Sequence, residues 1–393
     1  MTAEKREASA VPKRYIVTGT PGAGKTSLLH EAVYRDHDFE LVDVATDSVR
    51  AARGGSRGTH RPGAAQRGAR ASGRLTKDNN DASHSRPCWT AIVTDSTLSI
   101  RCAGAALPAQ LTLPVADCRG AVVLLHPATE PGRDQFLFRH LARVLPDRGV
   151  AVLRYDRREA RGDQDVPYLL QVDDLSRALR VLHSEVGPLP TGLWGFSQGA
   201  WVAMLSAAAD PSLAFLALVG SSAVSPARQM RYGTAQQLRR AGFGVEPLAE
   251  LDRLRTVWEE YQRGHLSHEA AQSVVDRLAG RSWFHLSWVP STLPSNTSWD
   301  DMDFDPAEAI SQIRCPVLAF YGEDEWVPVA ESIGIWQSRF FDPAALTIHE
   351  LPGTEHHPTL QGGRTVASIS PDYTAALTRW LNDVLGSAAQ NQA

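Results

Sequence analysis

Two textures divide the chain. From about residue 96 to residue 385, short apolar runs alternate with segments whose apolar residues recur at helical spacing. Leu98 to Cys102 and Ala109 to Leu113 alternate apolar and polar positions, which predicts a half-buried hairpin. Ala121-Val122-Val123-Leu124-Leu125-His126 is continuously apolar up to its last residue, as a strand covered on both faces should be. Similar buried strands are predicted over 150–155, 192–196, 215–219, 316–321 and 345–351. Helical spacing over 136–145, 175–186 and 200–209 falls between them. Strands separated by helices predict an α/β fold, with a mostly parallel sheet and helices on both faces.

About 90 residues lie between Ser221 and Cys315, far more than a plain connection needs. Three amphipathic helices are predicted there, over 229–241, 247–263 and 267–278. Trp283, Phe284, Trp288 and Trp299 follow, either lining a pocket or packing the helices down. Asp305, before Pro306, is placed to cap the next helix.

Composition narrows the class. The 393 residues are 43% hydrophobic, enough for a sizeable core, and the net charge of −4 names no polyanionic partner. Cys88, Cys102, Cys118 and Cys315 are scattered without metal-ligand spacing and form no disulfide framework. No apolar run reaches the length of a membrane span, and Met1 to Arg14 lacks the apolar core of a signal peptide. A cytoplasmic protein acting on a small molecule is expected, with no metal, membrane or nucleic acid.

The N-terminal region carries its own motif. A strand-like run, Tyr15 to Thr18, leads into Gly19-Thr20-Pro21-Gly22-Ala23-Gly24-Lys25-Thr26 and then a helical run. Glycine amides in such a loop cradle phosphates, Lys25 reaches the β/γ oxygens and Thr26 can hold magnesium. Gly22, Gly24, Lys25 and Thr26 are therefore nucleotide-binding candidates, and the stretch resembles the opening of an AAA-like P-loop ATPase. Residues 50–74 then turn to Ala, Gly, Ser and Arg, so the nucleotide domain ends early. Residues 1–49 are expected to be an incomplete P-loop fragment, 50–94 a disordered basic linker and 95–388 the main domain. ATP and magnesium enter only if the fragment is functional.

The richest chemistry lies at Gly195-Phe196-Ser197-Gln198-Gly199, between a strand and a helix. Gly-x-Ser-x-Gly in that context is a nucleophile elbow: a tight turn lifts the serine hydroxyl clear, and small neighbours let strand and helix approach. Four further stretches stand around it in order: Val122 to Ala128, Arg154-Tyr155-Asp156-Arg157-Arg158, Phe320 to Pro328, and Pro352-Gly353-Thr354-Glu355-His356. Together they resemble the alpha/beta-hydrolase family, with the residues from about 225 to 305 as its inserted helical lid. The resemblance implies a serine hydrolase, carboxylesterase-like, needing no cofactor. Ser197 would be its nucleophile, His356 its base and Asp324 its acid, with Glu325 and His357 as neighbouring alternatives. The oxyanion hole would use the amides of Ala128 and Gln198. Pro127 stands where the family usually has glycine; should it tilt Ala128 away, the enzyme would be slow. An aminopeptidase-like amidase remains open, with Glu130, Asp156 and Arg157 as candidates to hold a peptide terminus. A P-loop protein carrying an inactive hydrolase module is the other reading.

Overall fold

The computed structural model describes residues 94–160, 165–324 and 326–390, with only the backbone of Asp324 and of residues 387–390. Gly22, Gly24, Lys25, Thr26 and the basic stretch lie outside the described residues, as does Glu325.

Among the described residues eight strands form one sheet: β1 (Thr94–Cys102), β2 (Ala105–Leu113), β3 (Gly120–Leu125), β4 (Val150–Tyr155), β5 (Thr191–Phe196), β6 (Leu216–Val219), β7 (Val317–Asp324) and β8 (Leu346–Glu355). Their order is β1-β2-β4-β3-β5-β6-β7-β8. β2 is antiparallel to both β1 and β4, and β3 to β8 run parallel. Every residue of β3, β4 and β5 is buried, as their continuous apolar runs require.

The period of two along each strand divides the core. Val123, Leu125, Leu153, Leu193 and Leu218 face one way. They pack against α2 (Tyr168–Val186), α3 (Gln198–Ala209), α7 (Pro306–Gln312) and α8 (Val329–Arg339). Val122, Leu124, Val152, Trp194 and Phe320 face the other way, against α1 (Phe136–Val144) and α9 (Pro371–Gln390). α3 is apolar nearly all round because the sheet, α2 and α7 pack around it.

Between β6 and β7 stand α4 (Pro226–Arg240), α5 (Val245–Gln262) and α6 (His268–Leu278). Ser225 and Ser267 accept from the main-chain N–H of Arg228 and Ala270, capping α4 and α6. The three helices have a core of their own, including Leu238, Leu254, Trp258 and Val275. Asp305 accepts from the N–H of Ala307 at 3.0 Å and caps α7, where the chain rejoins the sheet layers.

The strand order positions the site. From β3 the chain crosses to β4 on one side, and β5 lies on the other. The loops after β3 and β5 therefore diverge, opening a crevice at the carboxyl ends of those strands. Pro127 and Ala128 follow β3, and Ser197 follows β5.

Candidate active site

Ser197 sits between β5 and α3 with φ 53° and ψ −115°, one of three non-glycine residues with positive φ among those described. A side chain in that region is strained. The turn is held by the Ser197 N–H donating to Val219 O at 2.9 Å, and the Ala200 N–H donating to Ser197 O at 2.9 Å. Its tightness explains the bracketing glycines. A Cβ on Gly195 would lie 2.5 Å from Gly199 O, and one on Gly199 would lie 2.5 Å from Leu125 O.

His356 follows β8 and places Nε2 2.9 Å from Ser197 Oγ, across 159 residues of sequence. Its ring packs against Phe196 with centroids 5.1 Å apart, and Gly220 lies against the ring edge that carries Cε1 and Nδ1. Of the two adjacent histidines, it is His356 that meets the serine. The Nδ1 of His357 is hydrogen-bonded to Arg364. A guanidinium can only donate, so that nitrogen accepts and His357 carries its proton on Nε2.

Asp324 ends β7, and its backbone pairs with Glu355, the residue before His356. The expected acid and the expected base thus leave the same end of neighbouring strands. A register shift between Gly322 and Asp324 accompanies this pairing. Glu323 acts elsewhere, since its Oε2 accepts from the N–H of Gly353 at 2.9 Å and steadies the histidine loop.

Ala128 and Gln198 both line the cavity at Ser197. Their main-chain N–H groups donate to no other group among the described residues. Gln198 is the first residue of α3, where the helix end presents positive potential. Pro127 lines the same cavity. His126, just before it, is fully enclosed; burial, with the Arg157 charge adding to it, lowers its pKa from 6.5 to about 3. It packs edge-on against Phe138 and Tyr155 and is neutral across the physiological range.

The cavity measures about 350 Å³. Trp288 and Trp299 from the inserted segment line it, as do Trp201 of α3 and Trp326 after β7. Trp288 has φ 57°, donates from Nε1 to Gln237 Oε1 at 3.0 Å and lies 5.5 Å from the Trp326 ring. The other two expected aromatics do not reach the cavity. Trp283 and Phe284 are buried in the helical core, with Trp283 Nε1 donating to Glu250 at 3.2 Å.

The charged residues named as candidates to hold a peptide terminus do not line the cavity. Asp156 accepts from the Arg133 N–H at 2.8 Å and from its guanidinium. Arg157 is behind the loop after β3, and neither it, Asp156 nor Glu130 lines the cavity. Asp165, Glu355, Arg240 and Arg364 line it instead; Glu355 belongs to the stretch that ends in His356, and the other three stand in no motif. Asp165 Oδ2 accepts from Gln198 Nε2 at 2.5 Å, and Oδ1 lies 3.4 Å from Arg157. Among the described residues no group of three or more His, Cys, Asp or Glu side chains could hold a metal ion.

Solved structures resemble the chain at low identity. A proline iminopeptidase from Mycobacterium smegmatis is 18% identical, with a TM-score of 0.50, covering 75% of this chain and all of its own (100%). A thermostable carboxyl esterase from Bacillus coagulans is 15% identical, with a TM-score of 0.47 and coverage of 74% and 99%. A cold-adapted esterase from an Arctic intertidal metagenomic library is 16% identical, with a TM-score of 0.43 and coverage of 74% and 94%. No curated protein matches the chain. The model of the Alpha/beta hydrolase family matches residues 122–369, from the middle of β3 to the loop before α9 and over more than half of the chain. With the strand order and the elbow geometry already described, that match establishes that this chain belongs to the alpha/beta hydrolase family.

Proposed function

We propose that the protein is a serine hydrolase that cleaves a carboxylic ester or related acyl bond through an acyl-enzyme. The observation that carries this reading is the 2.9 Å contact between His356 Nε2 and Ser197 Oγ, on a strained turn at a cavity whose wall includes four tryptophans. Ser197 Oγ attacks the acyl carbon as His356 Nε2 takes its proton. Asp324, at the end of β7, is the group assigned to His356 Nδ1, fixing the tautomer and stabilising the imidazolium. The amides of Ala128 and Gln198 receive the negative charge that develops on the carbonyl oxygen. His356 then returns the proton to the leaving oxygen, and water repeats the sequence on the acyl-enzyme. Each of these steps uses groups of the chain itself.

Two carboxylates stand on the cavity wall: both oxygens of Asp165 already face Arg157 and Gln198, whereas Glu355 is exposed, so an aminoacyl substrate held by Glu355 is the second reading beside an ester. The ring faces of Trp288 and Trp299 suit an aryl or bulky apolar group. A panel of p-nitrophenyl esters and aminoacyl anilides tests the reading. Turnover of esters that vanishes in Ser197→Ala is expected; turnover of anilides alone would move the assignment to an amidase. Absence of any turnover together with Lys25-dependent ATP hydrolysis would favour the P-loop reading.

A further inference from the structure

Arg157 is two residues past β4, in a run where Asp156 and Arg158 carry equally strong charge. Only Arg157 turns towards the elbow. Its side chain is 7% exposed. Nη2 donates to Ala128 O at 2.7 Å, and Nη1 donates to Gln198 Oε1. Nε is buried and meets no acceptor among the described residues, so the two terminal nitrogens fix the group. Its main-chain N–H donates to Pro131 O at 2.8 Å. One residue thus holds the loop after β3 near both ends, at Ala128 and Pro131, and grips the first residue of α3.

These two anchor points have a shared significance. Ala128 and Gln198 are the residues whose amides form the oxyanion hole in the function proposed above, and the present inference rests on that reading. The two amides belong to separate loops, and the crevice between β3 and β5 separates them. The β3–β5 pairing and the close approach of Gly199 to Leu125 fix the bases of the two segments, and a side chain that touches both fixes their tips. We propose that Arg157 is the positioning residue of the oxyanion hole, clamping Ala128 and Gln198 at the separation the tetrahedral intermediate requires.

Three features support a clamp over simple charge balance. The guanidinium is a rigid fork, suited to two acceptors at fixed geometry. Asp165 completes a closed circuit, 3.4 Å from Arg157 Nη2 and 2.5 Å from Gln198 Nε2, so the Gln198 amide is held by both of its atoms. Gln171 Nε2 lies 3.4 Å from Gln198 Oε1 and donates to Val166 O at 2.7 Å, buttressing the same amide from α2. Pro127 gives the clamp its purpose. The proline carries no N–H, so Ala128 is the first residue after His126 that can donate, and an error in its placement has no neighbour to compensate for it.

Arg157→Met removes the fork and keeps a similar apolar stem. Turnover is expected to slow by about 10²-fold with KM within about threefold, because the lost contact acts on the transition state. Affinity for an alkyl boronic acid, which forms a tetrahedral adduct on the serine, should fall in proportion, while affinity for a non-reactive substrate analogue stays. Arg157→Lys reaches one acceptor at a time and should fall between the two proteins. If Arg157→Met does not fold, Gln198→Met removes the grip at the other anchor and keeps the main-chain N–H; a smaller fall in kcat at constant KM is then expected. Wild-type kcat and boronate affinity in a folded Arg157→Met or Gln198→Met would overturn the clamp. Ester turnover surviving in Ser197→Ala would instead overturn the underlying reading, so the two failures are distinguishable.

Discussion

Gly220 offers a sharp perturbation of the site without touching a catalytic group. It follows β6 with φ 56°, and its Cα faces the imidazole of His356. A Cβ there would lie 2.7 Å from His356 Cε1 and 2.8 Å from Nδ1. Carbon atoms settle at about 3.5 Å or more, so Gly220→Ala must move the ring by about 0.8 Å or force the β6 end away from it. Two effects follow. The 2.9 Å contact to Ser197 is strained or lost, and the new methyl crowds the ring edge where the acid must bind. Displacements near 1 Å slow reactions by about 10²-fold, so turnover of any ester the wild type accepts should slow by at least that factor. Stability should change little by comparison. Alanine at positive φ costs about 1–2 kcal/mol, a few degrees of Tm in a domain of this size. The assay is kcat and KM on a p-nitrophenyl ester, with a thermal melt on the same sample. A folded Gly220→Ala enzyme with wild-type kcat would refute the placement of His356 as the base.

Further outcomes follow from other parts of the structure. His126 has a folded pKa lowered to about 3 by burial, so the unfolded chain gains its proton first as pH falls below 6.5. Stability is therefore lost with falling pH in that window, by about 1.4 kcal/mol per pH unit from this group. Urea unfolding of His126→Gln between pH 6.5 and about 4.5 should show a slope shallower by that amount, and equal slopes would contradict it. Buried Asp174 accepts two bonds from half-buried Arg158 at 2.7 and 2.5 Å, so Asp174→Ala should destabilise by about 1.5–3 kcal/mol in the same assay. Trp288→Ala or Trp299→Ala should raise KM for an aryl ester threefold to tenfold, about 0.5–1.5 kcal/mol. Trp283→Phe should lower Tm and leave KM alone, since that ring packs only the helical core.

Much of the fold was legible because its strands are buried on both faces. The runs 121–125 and 150–155 leave little else they could be, and the sheet follows from the helical spacing between them. α9 was equally open to inspection, with Tyr373, Leu377, Leu381 and Leu385 at four-residue steps, yet it carries no motif and forms no part of the sequence expectations. The elbow was readable because sterics demand glycine at 195 and 199. The aromatic residues of the insertion were not separable in advance. Trp283 and Trp288 are five residues apart and chemically identical, yet Trp288, at positive φ, lines the cavity while Trp283 donates to Glu250. The role of Arg157 was hidden for a related reason. Three consecutive charged residues have the same composition-level meaning, and only the twist of the loop after β4 decides which of them meets Ala128.

An activated hydroxyl at Ser197 underlies every step assigned to this site. Incubation with a fluorophosphonate probe, followed by digestion and mass analysis of the peptide containing residues 193–200, tests it directly. One adduct on Ser197 is predicted, abolished in Ser197→Ala and slowed at least about 10²-fold in His356→Ala. Labelling elsewhere in the chain at an equal rate, or undiminished labelling of Ser197 without His356, would contradict it.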